Sequence, residues 1–372
     1  MASQRSQEIR GVCRLLSIGV LAMTAGPCVA QGDLSSCRRE ADDARRLACY
    51  DAALGTEFDR SGIDPAVPTA ALGLRSAAVD AERPTRPAAS PAPGQDEMLA
   101  AVAGETWELG PEAKRGTFIV RTYQPNFVLP AHWTSSVNLA PSTPTRGTAP
   151  SALRYKSVNA KIQISLRTKV VEGLLLPQAD LWFAYTQRSL WQFWDTQQSS
   201  PFRSTDYQPE AIYVIPTPRP LAPLWAGWHW RMTQLGLMHQ SNGQSGALSR
   251  SWNRVYAAAS VDRGELGLVL RVFRRLNDGS NDDNPDIARY VGDAELAAAW
   301  LPGLATAQVT WRTRLASAGR GSIQWDLTYP VDRGRPQGLR WYVQVFSGYG
   351  ESLLDYNHRQ TSVGTGLTLF QF

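Results

Sequence analysis

From about residue 105 onward, apolar and polar residues alternate with a period of two. Ile323, Trp325, Leu327 and Tyr329 are interleaved with Ser322, Gln324, Asp326 and Thr328, and Val309 and Trp311 with Gln308, Thr310 and Arg312. Ile162, Ile164 and Leu166 alternate with Lys161, Gln163, Ser165 and Arg167, and Leu339, Trp341, Val343 and Val345 with Arg340 and Gln344. Each such strand has one apolar and one polar face. A soluble sandwich also alternates, but here the polar face carries Arg, Lys, Asp and Gln over long segments, between turn-rich connections such as NDGSNDDNPD. Roughly 270 residues at about 20 per strand and turn predict about twelve strands, an even number as bacterial membrane barrels require. The chain ends LTLFQF, with Phe370 and Phe372 on one face of a closing strand. The fold class expected is all-β: an antiparallel transmembrane β-barrel of the bacterial outer membrane, preceded by a small Cys-paired helical segment and a Pro/Ala-rich linker.

The N-terminal region breaks this pattern. Arg5, Arg10 and Arg14 precede an apolar run from Leu15 to Ala25, and Cys28, Val29 and Ala30 offer small residues for cleavage before Gln31, so residues 1–30 read as a signal peptide. Pro27 makes Cys28 a poor lipidation site. In residues 31–60, SSCRREADDARRLACYDAA predicts a short helical hairpin, and Cys37 and Cys49 form a disulfide expected in an oxidising compartment. Residues 61–104 turn to Pro, Ala and Arg and read as a linker, leaving 105–372 as the barrel domain.

Composition adds two points. The 13 Trp suit aromatic girdles at membrane interfaces, a signal that a carbohydrate-binding β-protein shares. The net charge of +5 is scattered along the chain, which argues against a nucleic-acid footprint. No phosphate-binding glycine loop, nucleotide fingerprint or zinc-type Cys/His spacing is present.

Candidate chemistry concentrates in LGLMHQSNGQSGALSRSWNRVY, residues 235–256. His239 and Ser241, two apart on a strand, share a face with Leu237, Leu235 and Thr233, the more apolar row. On the next strand Asn253 shares parity with Val255, Ala257, Ala259 and Val261. All three are therefore expected on the lipid-facing wall. A serine hydroxyl needs a base, and an imidazole needs a third group to hold its tautomer. An isolated His-x-Ser is far more often structural than catalytic.

The segment closely resembles the active-site signature of the outer-membrane phospholipase A family, and SSPFRSTDYQPE (199–210), NDDNPDIARYVG (281–292) and SGYGESLLDYN (347–357) resemble the same family. The resemblance covers nearly all of residues 110–372. It implies hydrolysis of phospholipid acyl esters at both acyl positions, with Ser241 as nucleophile, His239 as general base and Asn253 orienting the imidazole. It further implies a calcium ion (Ca2+) at the site and an active homodimer. The metal ligands it implies are Ser249, the backbone carbonyl of Gln244, and Ser199 from the partner subunit. The family's usual Arg five residues after the His is Gln244 here, a departure that bears on metal affinity.

His132, His229 and His358 have no evident partners in sequence and read as interfacial or loop residues. Asp282, Asp283 and Asp286 read as a solvated turn, and Arg254 as a lining residue of the polar interior. Two rival functions remain at this level: a passive porin or structural barrel that retains the signature, and a barrel that deacylates lipopolysaccharide.

Overall fold

The computed structural model describes residues 106–149, 154–198, 201–279 and 282–369, with Cys37, Asp42, Arg45, Arg46 and Cys49. The expected signal peptide, the 61–104 linker, Ser199, Phe370 and Phe372 lie outside the described residues. The chain divides into two units, Met1–Arg86 and Pro87–Phe372. In the first, Cys37, Arg45, Arg46 and Cys49 are helical. Cys37 and Cys49 are joined by a disulfide, their Cα atoms 5.5 Å apart.

The second unit is a closed antiparallel barrel. Its strands are β1 (Phe127–Thr134), β2 (Val158–Val171), β3 (Asp180–Trp191), β4 (Phe202–Pro216), β5 (His229–Ser241) and β6 (Ser251–Arg263). They continue as β7 (Leu266–Leu276), β8 (Ala294–Trp300), β9 (Thr306–Arg314), β10 (Ser317–Pro330), β11 (Leu339–Tyr349) and β12 (Arg359–Leu369). Each pairs with the next, and β12 pairs with β1 to close a ring of twelve. Closure leaves no edge, so backbone amides and carbonyls are paired within the wall, as hydrocarbon surroundings demand.

The alternation sorts as predicted. Ile164, Leu166, Trp311, Trp325, Leu327, Trp341 and Val343 are exposed on the outer face, while Lys161, Gln163, Ser165, Arg167, Asp326, Arg340 and Gln344 are buried inside. Lys161 Nζ donates to Gln344 Oε1 and to Glu351 Oε1, each at 2.7 Å. Arg254 is buried in the lumen as expected, where it donates to Gln240 Oε1 at 3.0 Å.

His132 departs from the interfacial or loop reading. It is 1% exposed and lies 2.8 Å from Glu351 Oε1. The cause is a register shift between Leu129 and His132, around Pro130. Phe127 and Leu129 point inward before the shift, and His132 and Thr134 after it, so the extra residue reverses the parity. Across from this irregularity Gly366 is required, because a Cβ there would stand 2.0 Å from the Val128 carbonyl oxygen. His358 does lie in a loop and contacts Ser136, and His229 begins β5.

At the end of the barrel where β5 finishes, Trp252, Ile287, Leu353 and Tyr356 form a buried cluster that seats a short helix, α1 (Ile287–Val291). The three aspartates just before α1 are therefore not a free solvated turn. Asp282 accepts two bonds from Arg275 at 2.6 Å, Asp286 accepts from Tyr356 Oη at 2.5 Å, and Asp283 is 7% exposed.

Candidate active site

Strands β5 and β6 form a hairpin whose register sets His239 opposite Asn253 and Ser241 opposite Ser251. Along the same rows Leu237 faces Val255 and Leu235 faces Ala257. Leu235, Leu237 and Val255 are exposed on the outer wall, while Met238 and Arg254, one residue out of phase, are buried inside. His239, Ser241 and Asn253 thus stand on the outside of the barrel, as their parity in the sequence predicts.

His239 Nδ1 and Asn253 Oδ1 are 2.8 Å apart. An amide oxygen accepts only, so Nδ1 is the donor of this bond, and in the neutral imidazole Nε2 carries the lone pair. Ser241 follows two residues later on the same face, and among the described residues no hydrogen bond joins it to the His239 ring.

The loop that connects the two strands, residues 242–250, is braced from within. Asn242 Nδ2 donates to the Leu248 carbonyl at 2.8 Å, and Asn242 Oδ1 accepts from the backbone N–H of Arg250 at 3.0 Å and of Gln244 at 3.3 Å. The buried Arg250 guanidinium donates to the carbonyls of Ala247 at 2.9 Å and Ser249 at 2.7 Å. Gly243 has φ of 63°, a left-handed conformation that favours glycine, and a Cβ there would also meet the Tyr207 ring at 3.1 Å. Tyr207 is the β4 residue paired with Ser241. The Asn-Gly pair in the sequence is a turn signal, and its tertiary role is to fix this loop against the wall beside Ser241.

Two residues of the expected metal set fall in this loop. Ser249 Oγ donates to Asp283 Oδ2 at 2.7 Å, and Ser251 Oγ reaches the same oxygen at 3.4 Å. Arg146 Nε donates to Asp283 Oδ1 at 2.6 Å. Burial alone would favour the protonated acid, but the bonds from Ser249 and Arg146 outweigh it and hold the Asp283 carboxyl below its ordinary range. The Gln244 side-chain oxygen is buried and accepts no hydrogen bond among the described residues. No group of three or more His, Cys, Asp or Glu gathers into a metal cluster among the described residues. Ser199 lies outside them, just past the turn Thr196–Gln198.

Asp283 and Asp278 escaped sequence reasoning as parts of this site. Asp278 Oδ1 accepts from Asn253 Nδ2 at 2.7 Å. Nothing in a polar turn sequence marks which of its carboxylates folds back onto the wall.

Known proteins resemble this chain in sequence and in fold. The family model described as Phospholipase A1 matches residues 104–369. A candidate phospholipase A1 of Neisseria meningitidis serogroup B is 36% identical over 375 residues, covering 96% of this chain and 95% of the relative. The phospholipase A1 of Salmonella typhimurium is 39% identical over 213 residues, 56% of this chain and 68% of the relative. Among solved structures, the Salmonella typhi outer membrane phospholipase dimer with bound calcium superposes with a TM-score of 0.61 and 32% identity, covering 72% of this chain and 97% of that one. With a matching twelve-stranded barrel and a match over most of its length, the chain belongs to the phospholipase A1 family, enzymes carried on a β-barrel of the bacterial outer membrane.

Proposed function

We propose that this enzyme hydrolyses acyl esters of glycerophospholipids at the outer wall of the barrel, at both the A1 and A2 positions, with Ser241 as nucleophile, His239 as general base and Asn253 as the group that orients the base. The observation that carries the reading is the 2.8 Å contact between His239 Nδ1 and Asn253 Oδ1, on the lipid-facing row that also bears Ser241. His239 Nε2 takes the Ser241 proton as Oγ attacks the ester carbonyl carbon, and the same proton passes to the departing lysophospholipid alcohol. Water, deprotonated by His239, then releases the fatty acid from Ser241. A neutral Asn as third member avoids placing a full charge directly against the ring at the hydrocarbon boundary. A substrate that resides in the membrane reaches such a wall without leaving the lipid.

The loop fits a hard cation through oxygen donors: the Gln244 carbonyl, the Ser249 hydroxyl, and the Asp283 carboxylate that Ser249 already contacts. Calcium bound there supplies positive charge near the developing oxyanion. Ser199 of the partner subunit completes the set in the dimer this reading requires. Placement of the reacting groups outside the lumen also favours the hydrolase over a passive porin, which has no use for a polar triad facing lipid.

The test is fatty-acid release from mixed micelles of detergent and phosphatidylethanolamine. Ser241→Ala is expected to lower kcat by about a thousandfold or more while the barrel stays folded, and a calcium chelator to suppress wild-type release. Turnover by Ser241→Ala at the wild-type rate sinks the nucleophile assignment, and release indifferent to the chelator sinks the metal.

A further inference from the structure

Behind Asn253 stands a carboxylate that the triad itself does not account for. We infer that Asp278 is a positioning residue for the reaction: it holds the Asn253 amide in the one orientation that presents Oδ1 to His239. The inference rests on the triad reading above.

Register brings Asp278 to this place. In the pairing of β6 with β7, Leu276 lies opposite Asn253, and Asp278 follows two residues later as the chain leaves the wall. Its Oδ1 accepts from Asn253 Nδ2 at 2.7 Å, and Asn253 Oδ1 meets His239 Nδ1 at 2.8 Å, so three side chains form one line of hydrogen bonds. The turn is tied down on its far side. Arg275 approaches Asp278 Oδ2 at 3.7 Å, while its guanidinium also grips Asp282 at 2.6 Å and the Pro285 carbonyl at 2.8 Å. The next turn residue, Gly279, donates its N–H to Asn277 Oδ1 at 2.9 Å.

The chemistry of the partners makes the line directional. An amide side chain has a donor end and an acceptor end that differ little in shape, and on an exposed wall it is free to flip. A carboxylate oxygen offers an acceptor and no donor. With Asp278 on one side, a flipped Asn253 would point its oxygen at the carboxylate and its NH2 at the ring N–H, two repulsive contacts in place of two bonds. Asp278 therefore selects the amide orientation, which selects the imidazole tautomer, which leaves Nε2 free toward Ser241.

The experiment compares kcat and KM of the full-length enzyme on phosphatidylethanolamine micelles with calcium, folding being checked by heat-modifiable gel migration. Asp278→Ala is expected to lower kcat about tenfold with KM unchanged. Asp278→Asn keeps an acceptor oxygen and is expected to recover to within about threefold of wild type. Adding Asp278→Ala to Asn253→Ala is expected to cost nothing more, because the residue acts through the amide. Wild-type kcat in Asp278→Ala, no recovery in Asp278→Asn, or an undiminished further loss in the Asn253→Ala background each overturns the inference. Ser241→Ala run in parallel separates the two levels. If it is active, the triad reading itself has failed; if it is silent while Asp278→Ala is normal, the positioning role alone has failed.

Discussion

The barrel holds two histidines bonded to a side-chain oxygen at the same distance, on opposite sides of one wall. His239 lies 2.8 Å from Asn253 Oδ1 on the outside, and His132 lies 2.8 Å from Glu351 Oε1 on the inside. The inner cluster even includes a serine, since Ser362 Oγ donates to Glu351 Oε1 at 2.7 Å. It nevertheless lacks the arrangement a hydrolase needs. There the serine bonds the carboxylate instead of sharing a strand face with the imidazole, Lys161 engages the same carboxylate oxygen, and His132 Nδ1 is buried without a hydrogen-bond partner among the described residues. A histidine, a carbonyl or carboxylate and a serine at bonding distance do not define a site. What matters is the order in which they bond and the medium they face. Outside, Asn253 is neutral and His239 is partly exposed beside the lipid-facing Leu235 and Leu237. Inside, Lys161 and Glu351, their side chains each 1% exposed, neutralise one another, a structural use.

The contrast can be broken from either side. The largest effect expected is on catalysis: His239→Gln should reduce kcat by about a thousandfold, with the thermal unfolding of the barrel in detergent nearly unchanged, because the residue sits on the wall and closes no interior network. Next comes Glu351→Ala, which strands Lys161 inside the lumen and should cost about 3–5 kcal/mol of stability, read as an earlier loss of the folded gel band on heating. Its kcat per folded molecule should match wild type. The smallest is His132→Gln, expected to lower stability by about 1–2 kcal/mol and to leave fatty-acid release within about twofold. Catalysis lost in His132→Gln, or a collapsed barrel in His239→Gln, would show that the two sides of the wall do not divide their work in this way.

Period-two alternation carried much of the fold by itself. A strand in a closed membrane barrel meets lipid on one face and a polar lumen on the other, so Ile164, Leu166, Trp325 and Leu327 announce their outward direction residue by residue. The same local rule predicted that His239, Ser241 and Asn253 point outward, because parity along a regular strand is a property of the chain alone. His132 reads in the sequence as interfacial or loop for want of an evident partner; its partner Glu351 lies 219 residues away, and one extra residue near Pro130, opposite Gly366, turns it inward. No local rule marks Asp278, and Asp283 reads as solvated turn; their partners Asn253 and Ser249 are 25 and 34 residues away. Strand direction, and with it the outward face of His239, Ser241 and Asn253, was determined by the sequence through a two-residue repeat. Which turn residues fold back to brace them was decided only by tertiary structure, because hydrogen bonds across a ring of strands depend on register, and register is a relation between segments that no single segment contains.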